Sequence, residues 1–490
     1  MMYRTVAFVN NPILAERFLF TGTSNESNRL FYKKNLEQMG IFESYSQLRS
    51  LLKNLDIAAV AKLSKKVDLN RLMGVVSKMS EEDLAKMLKL MQAGSGTKRL
   101  PPAVNGDFYE LSKTLNEEDR AVQLKVRTFM ETEIKPIANE YWNKAHFPMH
   151  IIPLMAKLDI CGITYKGYGC AGRSSLLEGF IAMEMARVDS SISTFFGVHS
   201  GLAMGSIYLC GSEEQKQYWL PIMQRMEIIG AFGLTEPEVG SAAAGGLTTT
   251  CRKVGDEWVL NGQKKWIGNA TFSDITIIWA RNPEDNQVKG FIVRKENPGF
   301  KAEKMEDKMA LRTVQNAVIT LTDCVVPESD RLQNANSFKD TANVLRMTRA
   351  GVAWQAVGCG RGAYELALKY TMERRQFGRP IASFQLVQDL LVTMLGDLTA
   401  MQTMVYRLSQ LQDEGGITDE HASLAKVFCT LRMRSIVDHA RELFGGNGIL
   451  LEYDIARFVA DAEAIYSYEG TKEINSLIVG RAITGESAFV

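Results

Sequence analysis

Apolar residues recur every three or four positions over residues 50 to 92: Leu55, Val60, Leu63 and Val67, then Leu72, Val75, Val76 and Met79, then Leu84, Met87, Leu88 and Met91. That spacing lines one helix face, so it predicts short amphipathic helices, with Ser80-Glu81-Glu82-Asp83 as an N-cap and acidic first turn. Gly94-Ser95-Gly96 and Pro101-Pro102 then read as a stop and a linker. From Phe108 to about Gly230 the helical period continues, with candidate helices at 117–141, 174–187 and 212–225. Between 231 and 335 the period shortens to that of strands: Thr248 to Val254, Trp258 to Asn261, Ile275 to Ala280, Gly290 to Arg294 and Ala317 to Leu321. Gly255-Asp256 and Asn261-Gly262 read as the turns between them. After Ser337 long helices return at about 340–374, 384–412 and 419–444, stopped by Gly415-Gly416 and Gly445-Gly446.

These changes of period predict a multidomain chain, mainly α with a central β domain. Residues 1–105 form a helical extension and linker, 106–230 an N-terminal helical domain, 231–335 a small sheet or barrel, and 336–490 an antiparallel four-helix bundle. A length of 490 residues with 46% hydrophobic content is enough for several cores. Lys+Arg of 57 against Asp+Glu of 56 leaves net +1, so no overall field recruits nucleic acid, and any basic site is local. The 7 cysteines are odd in number and contain no Cys-x-x-Cys pair, which suits free thiols. His146 and His150 flank Phe147-Pro148, where proline breaks the helix that would aim both rings at one ion, so no metal site is expected. No apolar stretch is long enough to span a bilayer. The sequence suits a bacterial-type cytoplasmic protein. Arg4 and Arg17 in an acid-poor start leave a mitochondrial presequence and matrix location as the alternative, and Ala488-Phe489-Val490 is no Ser-Lys-Leu address.

Four segments carry candidate chemistry. Gly445-Gly446-Asn447-Gly448 is followed about one helix later by Tyr468-Glu469-Gly470-Thr471, which sets a lone carboxylate near backbone suited to a phosphate-bearing cofactor. Phe232-Gly233-Leu234-Thr235-Glu236-Pro237-Glu238-Val239-Gly240-Ser241 runs from a strand into a turn, where backbone donors and hydroxyls can meet a ring edge and a phosphate. Trp266-Ile267-Gly268-Asn269 offers an indole beside a glycine. Arg374-Arg375-Gln376-Phe377-Gly378-Arg379-Pro380 offers guanidinium forks, which suit two phosphate oxygens.

In this order, from about Gly106 onward, the segments resemble the acyl-CoA dehydrogenase and acyl-CoA oxidase superfamily. The resemblance implies FAD, an acyl-CoA substrate and Glu469 as the base that takes the α proton while a hydride leaves the β carbon. It further implies flavin contacts from Phe232, Leu234, Thr235, Gly240, Ser241, Trp266, Ile267 and Gly268. For the FAD diphosphate and dinucleotide it implies Arg374, Gln376, Phe377, Gln385, Glu442, Gly445, Gly446, Thr471 and Glu473. Ser193, Ser241, Arg349, Tyr468 and Gly470 fall on the acyl-CoA side. In the family the FAD site draws on two subunits, so the resemblance implies a homo-oligomer, a homotetramer.

This chain departs from the family pattern at Ala242, where an aspartate usually follows the serine, and at Gly268, where a hydroxyl residue commonly contacts the flavin. Short-chain acyl-CoA oxidases share that glycine, so both electron-transfer flavoprotein and O2 remain candidate acceptors. Gly167 to Gly172 and Arg187-Val188-Asp189-Ser190 resemble the branch of glutaryl-CoA dehydrogenase and the short-chain oxidases. The position of its carboxylate-binding arginine is Ser193, and its nearby glutamate is Ala186. Burying an unpaired distal carboxylate is costly enough to decide the preference, so an uncharged short or medium acyl tail is expected. A flavin-binding scaffold, with residues 1–100 recruiting a partner, is the non-enzymatic alternative. An intact Glu469 argues against it.

Overall fold

The computed structural model describes residues 106–241 and 243–488. The helices expected over 50–92, the linker, the presequence and Ala242 lie outside the described residues.

Helix α1, Glu117–Phe129, begins where the Asn116 side chain accepts from Asp119 N at 2.8 Å, with three acids in its first turn. The single helix expected over 117–141 is interrupted. A π-type stretch, Met130–Ile134, precedes Pro136, which has no N–H to continue the ladder, and the chain resumes in α2, Ala138–Lys144. Helix α3, Ser175–Val188, is capped by Ser174, and α4, Ser190–Phe196, by Asp189. A second π stretch, Gly197–Ala203, joins α4 to α5, Met204–Cys210. Helix α6, Glu213–Gln224, starts with a Ser212/Gln215 capping box.

The central block is a curled seven-stranded sheet: β1 Gly230–Gly233, β2 Thr250–Val254, β3 Glu257–Ile267, β4 Ile275–Arg281, β5 Val288–Arg294, β6 Phe300–Lys304 and β7 Ala317–Pro327. Its order is β1-β4-β2-β3-β7-β6, with β5 on β4. Gly255 does turn the chain between β2 and β3, at φ 62°. Asn261-Gly262 does not: both residues lie inside β3. There Gly262 adopts φ 144°, a Cβ on it would sit 2.7 Å from Thr249 Cα, and the register with β7 shifts between Leu260 and Gly262. The glycine serves a bulge and a close backbone approach rather than a hairpin.

The C-terminal helices are α7 Phe338–Glu373, α8 Gln385–Asp413, α9 Asp419–Phe444, α10 Ile455–Ser467 and α11 Lys472–Thr484. Along α8, Leu391, Met394, Leu398, Met401, Val405 and Leu408 are buried at alternating three- and four-residue steps, the pattern of one helix stripe. Helix α3 joins this core through Phe180 and Met183. It approaches α7 so closely that a Cβ on Gly179 would lie 2.2 Å from the Trp354 indole. One core lies among the N-terminal helices and one sheet face, a second in the C-terminal bundle, and a third within the sheet.

His199 links the first core to the sheet. Its Nε2 faces the Met223 carbonyl at 2.9 Å, and its Nδ1 accepts from Gly230 N at 3.0 Å, so the ring is neutral with the proton assigned to Nε2. Burial depresses its pKa to about 4, against the pull of the Met223 carbonyl. Below about pH 6.5 the unfolded chain takes up a proton that the folded ring refuses, so stability falls as pH drops from there towards 4, by about 3 kcal/mol. Denaturant titrations at about pH 7.5 and about pH 4.5 should show a smaller acid loss in His199→Gln than in the parent.

Candidate functional site

Glu469 sits in the short connection between α10 and α11. It has φ 55°, and Gly470 follows at φ 87°. A glutamate in the left-handed region persists only where its surroundings hold it there, a condition typical of working sites. Thr471 ends the connection by capping α11, its Oγ1 accepting from Ile474 N at 3.3 Å, and Glu473 lies exposed in the first turn. From α7, Thr348 Oγ1 donates to Glu469 Oε2 at 3.1 Å. Burial raises the Glu469 pKa, and the Arg349 charge, the Thr348 hydroxyl and the Lys426 charge only partly offset it. A carboxylate with a raised pKa is the better proton acceptor.

Arg349 Nε is buried and unpartnered, and Arg349 has no ion pair among the described residues. Tyr468 Oη donates to Gln355 Oε1, and Gln355 Nε2 donates to the Ser193 carbonyl at 3.4 Å. Ser193 is buried, and burial pushes the Tyr468 hydroxyl far above its ordinary range. Arg187 is engaged with Glu131, Glu184 and Glu365.

The π stretch after α4 connects this cluster to the end of β3. A Cβ on Gly201 would lie 3.3 Å from Thr348 Cγ2, and one on Gly268 would lie 3.3 Å from Val198 Cγ2. Phe232, Leu234 and Ile267 are buried supports, whereas Gly240 and Ser241 lie on an exposed turn. Trp266 is 55% exposed at φ 67°, with its carbonyl held by Asn316 Nδ2 at 3.1 Å. Thr235 is held by its backbone: its carbonyl accepts from Lys265 N at 2.8 Å. One residue earlier, the Leu234 carbonyl accepts from Lys264 Nζ at 3.1 Å, and that ammonium also meets Glu236 Oε1 at 2.8 Å.

The remaining predicted residues gather at one end of the bundle. Arg374 ends α7, Gln376 and Phe377 form a tight hairpin, and Gln385 opens α8. Phe377 is 91% exposed, and the Arg374 guanidinium has no hydrogen bond or ion pair among the described residues. Exposed Glu442, Gly445 and Gly446 lie at the end of α9. Both glycines border open space, and Asn447 Nδ2 donates to Tyr370 Oη at 3.0 Å, which brings this turn to the α7 end that bears Arg374. No hydrogen bond or ion pair joins this basic end to Thr235 or Trp266 among the described residues.

An unengaged guanidinium, open glycines, an exposed indole and a backbone-pinned threonine suit a flavin and its diphosphate. Sequence reasoning passed over Glu236 as a buried anchor, and over Lys264, Thr348, Gln355 and Lys426. A lysine on an otherwise apolar helix or strand face is the signal that would have found two of them.

The chain matches the acyl-CoA dehydrogenase N-terminal domain over residues 116–227, the middle domain over 231–324 and the C-terminal domain over 338–484. The chain belongs to the acyl-CoA dehydrogenase family. It is 36% identical to the 3-(aryl)acrylate reductase of Clostridium sporogenes over 74% of this chain and 97% of that one. It is 33% identical to the caffeyl-CoA reductase-Etf complex subunit CarC of Acetobacterium woodii, over 74% and 97%. A glutaryl-CoA dehydrogenase from Mycobacterium smegmatis in complex with FADH2 superposes with a TM-score of 0.76 at 34% identity, covering 79% of this chain and 100% of that one. This acyl-CoA dehydrogenase-family protein is therefore an oxidoreductase with FAD as its cofactor. No helix among the described residues is long and apolar enough to cross a membrane.

Proposed function

We propose that this enzyme removes the α proton and β hydride of an uncharged short- or medium-chain acyl-CoA, giving the trans-2-enoyl-CoA, with Glu469 as the base. The observation that carries this reading is a desolvated carboxylate with a raised pKa, held by Thr348 beside the unpartnered Arg349. Bound FAD would supply the acceptor for the hydride. Glu469 receives the proton, and the buried Arg349 Nε offers an unused donor on the substrate side. Trp266, Thr235 and Ser241 border the flavin, and Arg374, Gln376, Phe377, Gln385, Glu442, Gly445, Gly446, Thr471 and Glu473 serve its diphosphate and nucleotide end.

An Arg374 guanidinium with no partner among the described residues of its own chain supports a flavin site shared between subunits of a homotetramer. Ser193 and Ala186, which stand where the resembling glutaryl branch has an arginine and a glutamate, support an uncharged tail. The Etf complex formed by the Acetobacterium relative supports an electron-transfer flavoprotein as acceptor. A second reading, oxidation by O2 with release of H2O2, is favoured by Gly268, which brings no hydroxyl to the flavin edge.

Anaerobic titration of the FAD-loaded protein with butyryl-CoA tests both readings. The flavin absorbance should bleach and stay bleached when air is admitted. Rapid recovery with stoichiometric peroxide would instead establish the oxidase, and absence of bleaching with butyryl-CoA and longer saturated thioesters would overturn the proposed reaction.

A further inference from the structure

Helix α9 turns Ala422, Ala425, Cys429 and Met433 into the bundle core, and Lys426 lies on the same inward side with 0% exposure. A lysine is almost never fully buried without partners that repay its desolvation. Here no carboxylate lies within ion-pair distance of it among the described residues. Its Nζ donates instead to the Tyr466 carbonyl at 2.9 Å and to the Gly470 carbonyl at 2.5 Å. Those carbonyls stand on either side of Glu469. The first is among the last of α10, where a helix end favours a cation, and the second follows the two consecutive left-handed residues.

Asn475 Nδ2 adds a second tie to the Gly470 carbonyl at 2.8 Å, but carries no charge. The charged groups facing Lys426 are Glu469, Arg349 from α7 and Glu473 from α11. Those facing Glu469 are Arg349 and Lys426, with the Thr348 hydroxyl alongside.

We propose that Lys426 is a positioning residue for the proton-abstracting carboxylate: its ammonium clamps the backbone on both sides of Glu469, fixes the left-handed connection and favours the ionised, proton-accepting form. This role rests on Glu469 being the base. Burial lowers the Lys426 pKa to about 8, so the ammonium persists at neutral pH and is lost in mildly alkaline solution.

The test isolates proton transfer by using a CoA thioester with sulfur in place of the β carbon, which has α protons to lose and no β hydride to give. Its α-hydrogen exchange in D2O is followed by NMR with the FAD-loaded enzyme across about pH 6 to 9, and flavin content is read by absorbance. Lys426→Met should slow exchange at neutral pH by about 10- to 100-fold while FAD stays stoichiometric. The acid limb should move to higher pH, because loss of a nearby positive charge makes the carboxylate harder to ionise. Lys426→Gln keeps one donor without the charge, so it should fold even where the methionine variant does not, and its acid limb should move in the same direction. Lys426→Arg should return the limb towards its parental position.

An unmoved limb in Lys426→Gln, or parental exchange in Lys426→Met, would overturn the proposal while leaving Glu469 as the base. Absent exchange in the parent, or undiminished exchange in Glu469→Gln, would overturn the base assignment and this role with it.

Discussion

Glu469→Gln should lower turnover with butyryl-CoA by about 10⁴-fold, the upper range for loss of a positioned general base, while the protein stays yellow. The amide keeps the size of the side chain and can still meet Thr348, so the connection between α10 and α11 retains its shape and flavin binding has no reason to fail. What disappears is the lone pair that takes the proton. With Glu469 as the proposed base, the reactive form is the carboxylate, and burial raises its pKa. The rate therefore rises with pH through a value above the ordinary carboxylate range, and a bound acyl chain moves that limb higher still by excluding water. Single-turnover bleaching of the flavin across pH checks both points. A glutamine variant that retains a tenth of parental turnover would sink the base assignment. One that loses its flavin would show that Glu469 holds the fold of the site instead.

Much of this arrangement was legible because its parts are periodic or punctuated. The helices read as starting near 117 and 212 begin at Glu117 and Glu213, where local rules and tertiary packing agree. Failures came where one residue type serves two ends. Asn261-Gly262 has the composition of a hairpin turn, but its glycine is needed for a close pass of Thr249 within a continuous strand. Strand β1 begins two residues before the strand-to-turn segment read from Phe232, because its four buried residues offer no polar position to mark its start.

Glu469, Arg374 and the glycines of 445–446 were found through a motif resemblance. Of the groups that hold such residues in place, Thr348 and Gln355 come from α7, far from Glu469 in sequence, and carry no local signature, while Lys426 is marked by its apolar helix face but not by the carbonyls it meets. Only the fold brings them together.

Lys264→Met should destabilise the enzyme by about 3–5 kcal/mol and weaken its hold on FAD, for a single reason. Lys264 and Glu236 are both essentially removed from solvent, 2.8 Å apart. Glu236 also accepts from Thr248 N at 2.7 Å, Thr248 Oγ1 at 2.6 Å and Thr249 N at 2.9 Å, and with the lysine these donors hold its pKa well below the carboxylate range despite burial. Without the ammonium, a buried carboxylate loses its counter-charge and the Leu234 carbonyl loses its donor, one residue before the threonine proposed to face the flavin.

The sign with pH is diagnostic. In the parent, a depressed folded-state pKa contributes stability above the ordinary carboxylate value that is lost as pH falls through the folded one. In Lys264→Met the folded pKa rises, so the penalty grows with increasing pH and eases on acidification. Adding Glu236→Gln should recover most of the loss in melting temperature, because the uncompensated charge is then gone. The flavin readout separates the pair's two roles. If the double variant regains stability but still releases FAD more readily than the parent, the ammonium's grip on the Leu234 carbonyl shapes the flavin edge directly; if both recover together, the pair acts on the cofactor only through the stability of the sheet.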